Sequence, residues 1–301
     1  MAENSVKLKK RRAKKDGRSA LIFLAPLLIM YAVYFVYSIF YLVKTSQTKV
    51  SISFRNPTEV GLENFRLLFE DPVFIRSLVN NLVFAAVAVI SALTIGFFIA
   101  AALASGIRAK KLLYVIFLVP TLMPSSLVAT IFGSMLQERF GVVNQILRSI
   151  GLNGLAQPWL TDPVLAYGVI MVIFAYLIGL PIMYFTADFS ALPTESIEAA
   201  LLDGAGTFRI MRQVVYPMMT ATRTTIILSL LLGSFRAMEV VLFSTQGGPG
   251  GRTEIVGSYL YGYATSSGQT IGYVSAASIV VLLIAFIIAV IQMVVSRKNE
   301  R

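Results

Sequence analysis

Residues 195–217 read ESIEAALLDGAGTFRIMRQVVYP, a polar stretch enclosed by two long apolar runs. Pro193-Thr194-Glu195 is a capping-type opening, and Glu198 falls within about the first turn, where a negative charge suits a helix N-terminus. Ala199 and Ala200 favour helix and leave little bulk, so another protein surface can approach closely. Gly204 and Gly206 break the run after Asp203, and a second amphipathic piece, apolar at Phe208, Ile210, Met211, Val214 and Val215, continues to Pro217. The pattern predicts helix, turn, helix, lying against a membrane surface. Two reasons for such order remain open: packing on the bundle's own floor, or docking of a partner.

Outward from this segment the chain is built for lipid. It is 56% hydrophobic and only 14% charged, against about 25% charged for a soluble domain. About six stretches are long and apolar enough to cross some 30 Å of hydrocarbon: 19–43, 78–103, 112–136, 164–186, 224–244 and 271–295. The predicted fold is all-α and polytopic, with residues 1–18 a basic tail, 19–43 the first span, 44–77 an external segment, 78–295 the core including 194–217, and 296–301 a second tail. The first run exceeds a secretory h-region and lacks a small-residue cleavage site, so it reads as a retained helix. Pro120 and Pro124 in the third span and Pro181 in the fourth predict kinks. In the external segment, residues 63–69 have the pattern of a short amphipathic helix, and Trp159, between Pro158 and Pro163, marks either an interfacial loop or an ordinary loop with one apolar anchor.

Lys and Arg set the orientation. Lys7, Lys9, Lys10, Arg11, Arg12, Lys14, Lys15 and Arg18 precede the first span; Arg108, Lys110 and Lys111 fill the second-to-third connection; Arg297, Lys298 and Arg301 end the chain. These sides are expected to be cytoplasmic, together with Arg209, Arg212 and Arg223 around the 194–217 segment. The opposite loops are longer and more sparsely basic, with Lys44, Lys49, Arg55, Arg66, Arg76, Arg139, Arg148 and Arg252. The net charge of +11 thus reads as a membrane anchor and not as a nucleic-acid surface. With no cysteine and no histidine, thiol and imidazole chemistry and most zinc or haem sites are excluded. No Gly-x-x-x-x-Gly-Lys-Ser/Thr loop occurs, so ATP, if used, is expected on another chain.

The 194–217 segment resembles the coupling loop of binding-protein-dependent ABC importer permeases: Glu198, Ala199, Ala200, Gly204 and Pro217 match its pattern, while Val214 and Tyr216 replace an Ile and a Leu. Residues 61–65 (GLENF), Asn80-Asn81 and residues 245–249 (TQGGP) resemble the carbohydrate branch of that family, which includes maltose, lactose and glycerol-phosphate permeases. The resemblance covers about residues 61–278 and implies a type I importer permease in the inner, plasma membrane of a prokaryote. It implies a second homologous permease, a cytoplasmic ATPase dimer holding ATP and Mg, an extracytoplasmic solute-binding protein, and a sugar-like substrate. It also assigns Glu198 to a basic ATPase residue, Ala199 and Ala200 to close contact, and Gly204 to the turn, with Asp203 and Pro217 in the same coupling element.

A sugar path needs aromatic and polar side chains inside the bundle. Candidates are Tyr176 and Tyr184, whose eight-residue spacing puts them on one face of a continuous helix, Ser125 and Ser126, and Ser234, Phe235, Arg236 and Glu239. Arg236 and Glu239 stand i,i+3, and mutual pairing is the favoured reading. Two alternatives stay in view: an ABC permease for a non-carbohydrate solute, and a proton-coupled carrier, for which Glu239 is the one acid placed well inside a span.

Overall fold

The computed structural model describes residues 2–54, 56–108, 110–266 and 271–299. Arg55, Arg301 and the basic side chains at 7–18 and 297–298 lie outside what is described. Helix α1 (Ala2–Ser46) carries the basic tail and first span as one element. Two-residue strands β1 (Thr48–Lys49) and β2 (Thr58–Glu59) pair antiparallel, Thr48 opposite Glu59. Helix α2 (Glu63–Glu70) is the expected amphipathic element, with Asn64 and Leu68 buried. Asn64 Nδ2 donates to the carbonyls of Ser46 at 2.8 Å and Thr48 at 2.9 Å, tying α2 to the end of the first span.

The second span is α3 (Pro72–Ser91), a π turn over Ala92–Gly96 and α4 (Phe97–Ala104). It starts at Pro72 and not at 78, because Asp71 accepts from the N–H groups of Val73 and Phe74 and Pro72 suits the first turn. The third is α5 (Lys110–Leu113), a π turn (Tyr114–Leu118), α6 (Val119–Leu122) and α7 (Ser125–Met135). Helix α8 (Val142–Ser149) follows, then a fourth span split into α9 (Pro163–Tyr176) and α10 (Gly179–Phe189). The predicted polar segment is α11 (Thr194–Leu202), α12 (Thr207–Ile210), a π turn (Met211–Val215) and α13 (Tyr216–Met218). Helices α14 (Thr220–Ser234), α15 (Met238–Ser244), α16 (Val256–Thr265) and α17 (Ile271–Asn299) complete the chain, with α1 packed along α17.

Four helices are long and apolar enough to cross a membrane, or up to six if each bent pair is one span. The expected six spans are met when the bent pairs at the third and fifth each count as one. Where a kink was expected at Pro120 and Pro124, the third span bends by 115°. Met123 is extended, as the residue before a proline prefers, and α7 restarts after Pro124. The fifth span, predicted over 224–244, begins at Thr220 after a 72° bend and stops at Ser234, so Arg236 sits in a turn before α15.

Breaks in hydrocarbon free backbone groups that must find partners inside the protein. Pro120 has no N–H to offer the Ile116 carbonyl, and Tyr176 Oη donates to that carbonyl at 2.7 Å. Ser91 Oγ donates to the Ala175 carbonyl at 2.8 Å, beside the fourth-span break. Asn81 Nδ2 donates to the Ser234 carbonyl at 2.8 Å, while its Oδ1 accepts from Val256 N at 2.8 Å. Gly179 seats directly on the third span: a Cβ there would collide with Thr121 Oγ1 and the Phe117 carbonyl.

Outside the spans, Asn144 fixes the loop carrying Trp159. Its Nδ2 donates to the Glu138 and Gln157 carbonyls, and its Oδ1 accepts from Gln157 N and Trp159 Nε1. At the same end of the bundle as α2, Asp71 Oδ2 accepts from the hydroxyls of Tyr259 at 2.6 Å and of Tyr263 and Tyr273 at 3.2 Å. Burial acts to raise the Asp71 pKa, but bonds from Tyr259, from the Val73 and Phe74 N–H groups and from Tyr263 outweigh it and hold the carboxyl below its ordinary value. Asp71→Ala is expected to lower the stability of the detergent-solubilised chain by roughly 2 kcal/mol, discounted for the partial exposure of the carboxylate. Because the folded pKa is depressed, this contribution is present above about pH 4 and lost as pH falls through the folded value. Thermal melts of parent and variant should differ at neutral pH and converge in acid; equal melts at neutral pH would show that Asp71 does not stabilise the fold.

Candidate functional site

Helix α11 has two faces. Ile197 and Ala200 pack against a buried cluster of Phe97, Leu103, Ile178, Ile182, Phe185 and Ile210. The other face presents Glu195, Glu198 and Ala199, with Leu201 56% and Leu202 89% exposed. Glu198 makes no ion pair; among the described residues those formed join Arg66 to Glu63 and Glu70. No side chain caps α11: Pro193 occupies the cap position, Thr194 is the first helical residue, and Glu195 is the acid in the first turn. The expected capping-type opening at Pro193-Thr194-Glu195 therefore carries no side-chain cap. Ala199 and Ala200 also separate, since only Ala199 faces outward.

Gly204 has φ +74° and terminates α11. Its N–H donates to the Leu201 carbonyl and that of Ala205 to the Ala200 carbonyl, both at 3.0 Å, the paired bonds of a Schellman ending, with Asp203 at the cap. The second limb is anchored. Ile210, Val215 and Met219 are buried in the same cluster, the Tyr216 ring stands edge-on to Phe97 at 5.0 Å, and the Arg223 guanidinium lies 4.4 Å over Tyr216. Pro217 lies in the short α13, just before the Met219 bend. The segment thus offers an acidic and apolar outer face on a rigid mount. Phe208, read in the sequence as part of the amphipathic second limb, is 66% exposed on that surface, and Leu202 belongs to it too but was not singled out in the sequence. Its signal was available, because Leu202 falls on the side of the helix away from Ile197 and Ala200.

The candidate path residues are only partly brought together. Glu239 Oε2 accepts from Ser126 N at 3.1 Å, capping α7 from α15. This joins Glu239 to Ser125 and Ser126 across two broken spans. The expected Arg236–Glu239 pair does not form, because the turn after Ser234 points the acid at the N-terminus of α7 and leaves Arg236 exposed. Ser234 is buried with its hydroxyl donating to the Leu231 carbonyl, and Phe235 beside it is half-buried. Tyr176 and Tyr184 do not share a helix face, since the spacing argument needed a continuous helix and the chain breaks at Leu177 and Ile178. Tyr176 is engaged with Ile116 and packs edge-on against Phe132, while Tyr184 is 40% exposed farther along α10.

Residues 92–301 match the family of binding-protein-dependent transport system inner membrane components, from the second span through both limbs of the polar segment to the C-terminus. The chain belongs to that family. This permease is 28% identical to a probable ABC transporter permease protein of Pyrococcus horikoshii over 96% of its own length and 99% of the relative's. It is 26% identical to the sulfoquinovosyl glycerol transport system permease protein of Agrobacterium fabrum, over 95% of this chain and 92% of that one. Its fold is that of a bacterial ABC transporter involved in the import of the acidic polysaccharide alginate, with TM-score 0.75, 20% identity, and 95% and 99% of the two chains covered. A structure of the alginate transporter in complex with a periplasmic protein bound to an alginate pentasaccharide aligns with TM-score 0.71 at 19% identity, over 95% and 94%.

Proposed function

We propose that this permease forms half of a translocation path for a sugar, works beside a second homologous permease, receives its substrate from a solute-binding protein and is driven by a separate ATPase pair docked on α11. The observation that carries the reading is the outer face of α11, where Glu198, Leu201 and Leu202 stand unpartnered on a rigidly seated element. Such a surface costs free energy in water and suits a protein cleft lined by basic and apolar groups. Relatives named for sulfoquinovosyl glycerol and for starch degradation products support a carbohydrate substrate. Within the bundle, the fifth-span break places Arg236 and the backbone around it at an irregular stretch, which membrane proteins tolerate where it lines a cavity or meets protein. The permease itself has no nucleotide loop, so ATP and Mg belong to the partner.

This reading requires α11 to face the cytoplasm, where Arg108, Lys110, Lys111, Arg209 and Arg212 gather at the same end of the bundle. In the naturally cysteine-free chain, Thr207→Cys should be labelled by an impermeant maleimide only after cells are opened. Labelling from outside intact cells would reverse the orientation and remove the ATPase from α11. Reconstitution with the partners should give sugar-stimulated ATP hydrolysis, and the purified permease alone should give none.

A further inference from the structure

At the opposite end of the bundle from α11, a cavity of about 370 Å³ opens between the end of α15, the start of α3 and α16. Its walls include Gln246, Glu254, Ser258, Tyr259, Gly262 and Tyr263. We infer that this cavity is an entry subsite for a neutral sugar ring, distinct from the fifth-span break and resting on the reading of the chain as a sugar permease. The volume falls within the range of small-ligand sites, about 300–1,000 Å³.

The chemistry of the lining selects the ligand. Tyr263, half-buried with its ring centroid 4.6 Å from that of the buried Tyr259, supplies aromatic surface of the kind that packs on the C–H faces of sugars. Their hydroxyls are taken up by Asp71, at 2.6 and 3.2 Å, and that of Tyr259 also by Tyr273 at 2.7 Å, so the free polar groups of the wall are Glu254 and Gln246. Glu254 is half-buried with no ion-pair partner among the described residues, and Gln246 is exposed with an amide that both donates and accepts. A wall dominated by acceptors matches a ligand rich in hydroxyl donors. The Glu254 carboxylate in the wall disfavours an anion.

Gly262 gives a local probe, since a Cβ there would meet nothing within 4 Å and a side chain would extend into open space. In the assembled transporter, with its binding protein left out, Gly262→Cys should react with a maleimide and be protected by maltose. Adding Glu254→Gln should raise the maltose concentration for half-protection roughly tenfold, the loss of one hydrogen bond to a charged group. Gly262→Leu, which fills the space without removing a polar group, should raise the concentration of sugar-loaded binding protein needed for half-maximal transport. Three results would overturn the inference: no protection by maltose, protection indifferent to Glu254→Gln, or protection by sugar-free binding protein alone, which would make the cavity a protein seat. Uptake by the parent transporter separates the two levels. Sugar uptake with an unprotected Gly262→Cys defeats only the subsite, whereas a parent complex that moves no sugar defeats the functional reading beneath it.

Discussion

Glu198→Lys is expected to leave the permease inserted and folded but to abolish transport. The carboxylate is exposed on α11 and forms no ion pair among the described residues, so its removal costs the fold little. In the docked complex it is proposed to meet a basic ATPase residue, and losing one partner of a buried charge pair costs about 2–5 kcal/mol, at least thirtyfold in affinity, before repulsion is added. Gly204→Val reaches the same end by another route. Nothing crowds a Cβ at this position, so the penalty is conformational: a β-branched residue at φ +74° is strained by about 1–3 kcal/mol. The Schellman ending relaxes, and α11 leaves its docking angle. Co-purification of the ATPase with each variant, read beside ATP hydrolysis in reconstituted complexes, checks both. Normal assembly and parental transport by the Glu198→Lys complex would show that α11 is not the coupling element.

Gly179→Val is expected to prevent the chain from accumulating in the membrane. The new side chain occupies the volume of Thr121 Oγ1 and the Phe117 carbonyl, and the backbone there cannot yield as a flexible side chain would. Forcing the third and fourth spans apart also strips Tyr176 from the Ile116 carbonyl, and an unpaired carbonyl in hydrocarbon costs several kcal/mol. Gly168→Val in the same span is the control, because a Cβ there meets nothing within 4 Å. Membrane yield and size-exclusion profiles should separate the two. Equal, monodisperse yields would show that the spans part more readily than their packing implies.

Residue patterning carried the membrane class and the α11–α12 turn, because lipid demands long apolar runs and a left-handed turn demands glycine. It failed where the outcome depends on a distant partner. Pro124 announced a disturbance, but only the extended backbone at Met123 and the Glu239 carboxylate waiting at Ser126 make it a 115° bend. The Arg236–Glu239 spacing predicted a pair on a helix that the chain does not form. Asn80 and Asn81 were legible as polar residues in an apolar run. Their acceptors, at Arg252, Glu254 and Ser234, lie more than 150 residues away in sequence, and nothing local points to them.

The interlock of the third and fourth spans bears on how force travels. Tyr176, Ser91 and Gly179 tie the second, third and fourth spans into one block, and α11 to α13 sit on that block through Phe97, Ile182 and Phe185. A lever mounted on a rigid crossbeam has no slack to take up. Displacement delivered at the α11 end is therefore expected to move this block as a unit, with the yielding surface between it and its neighbours.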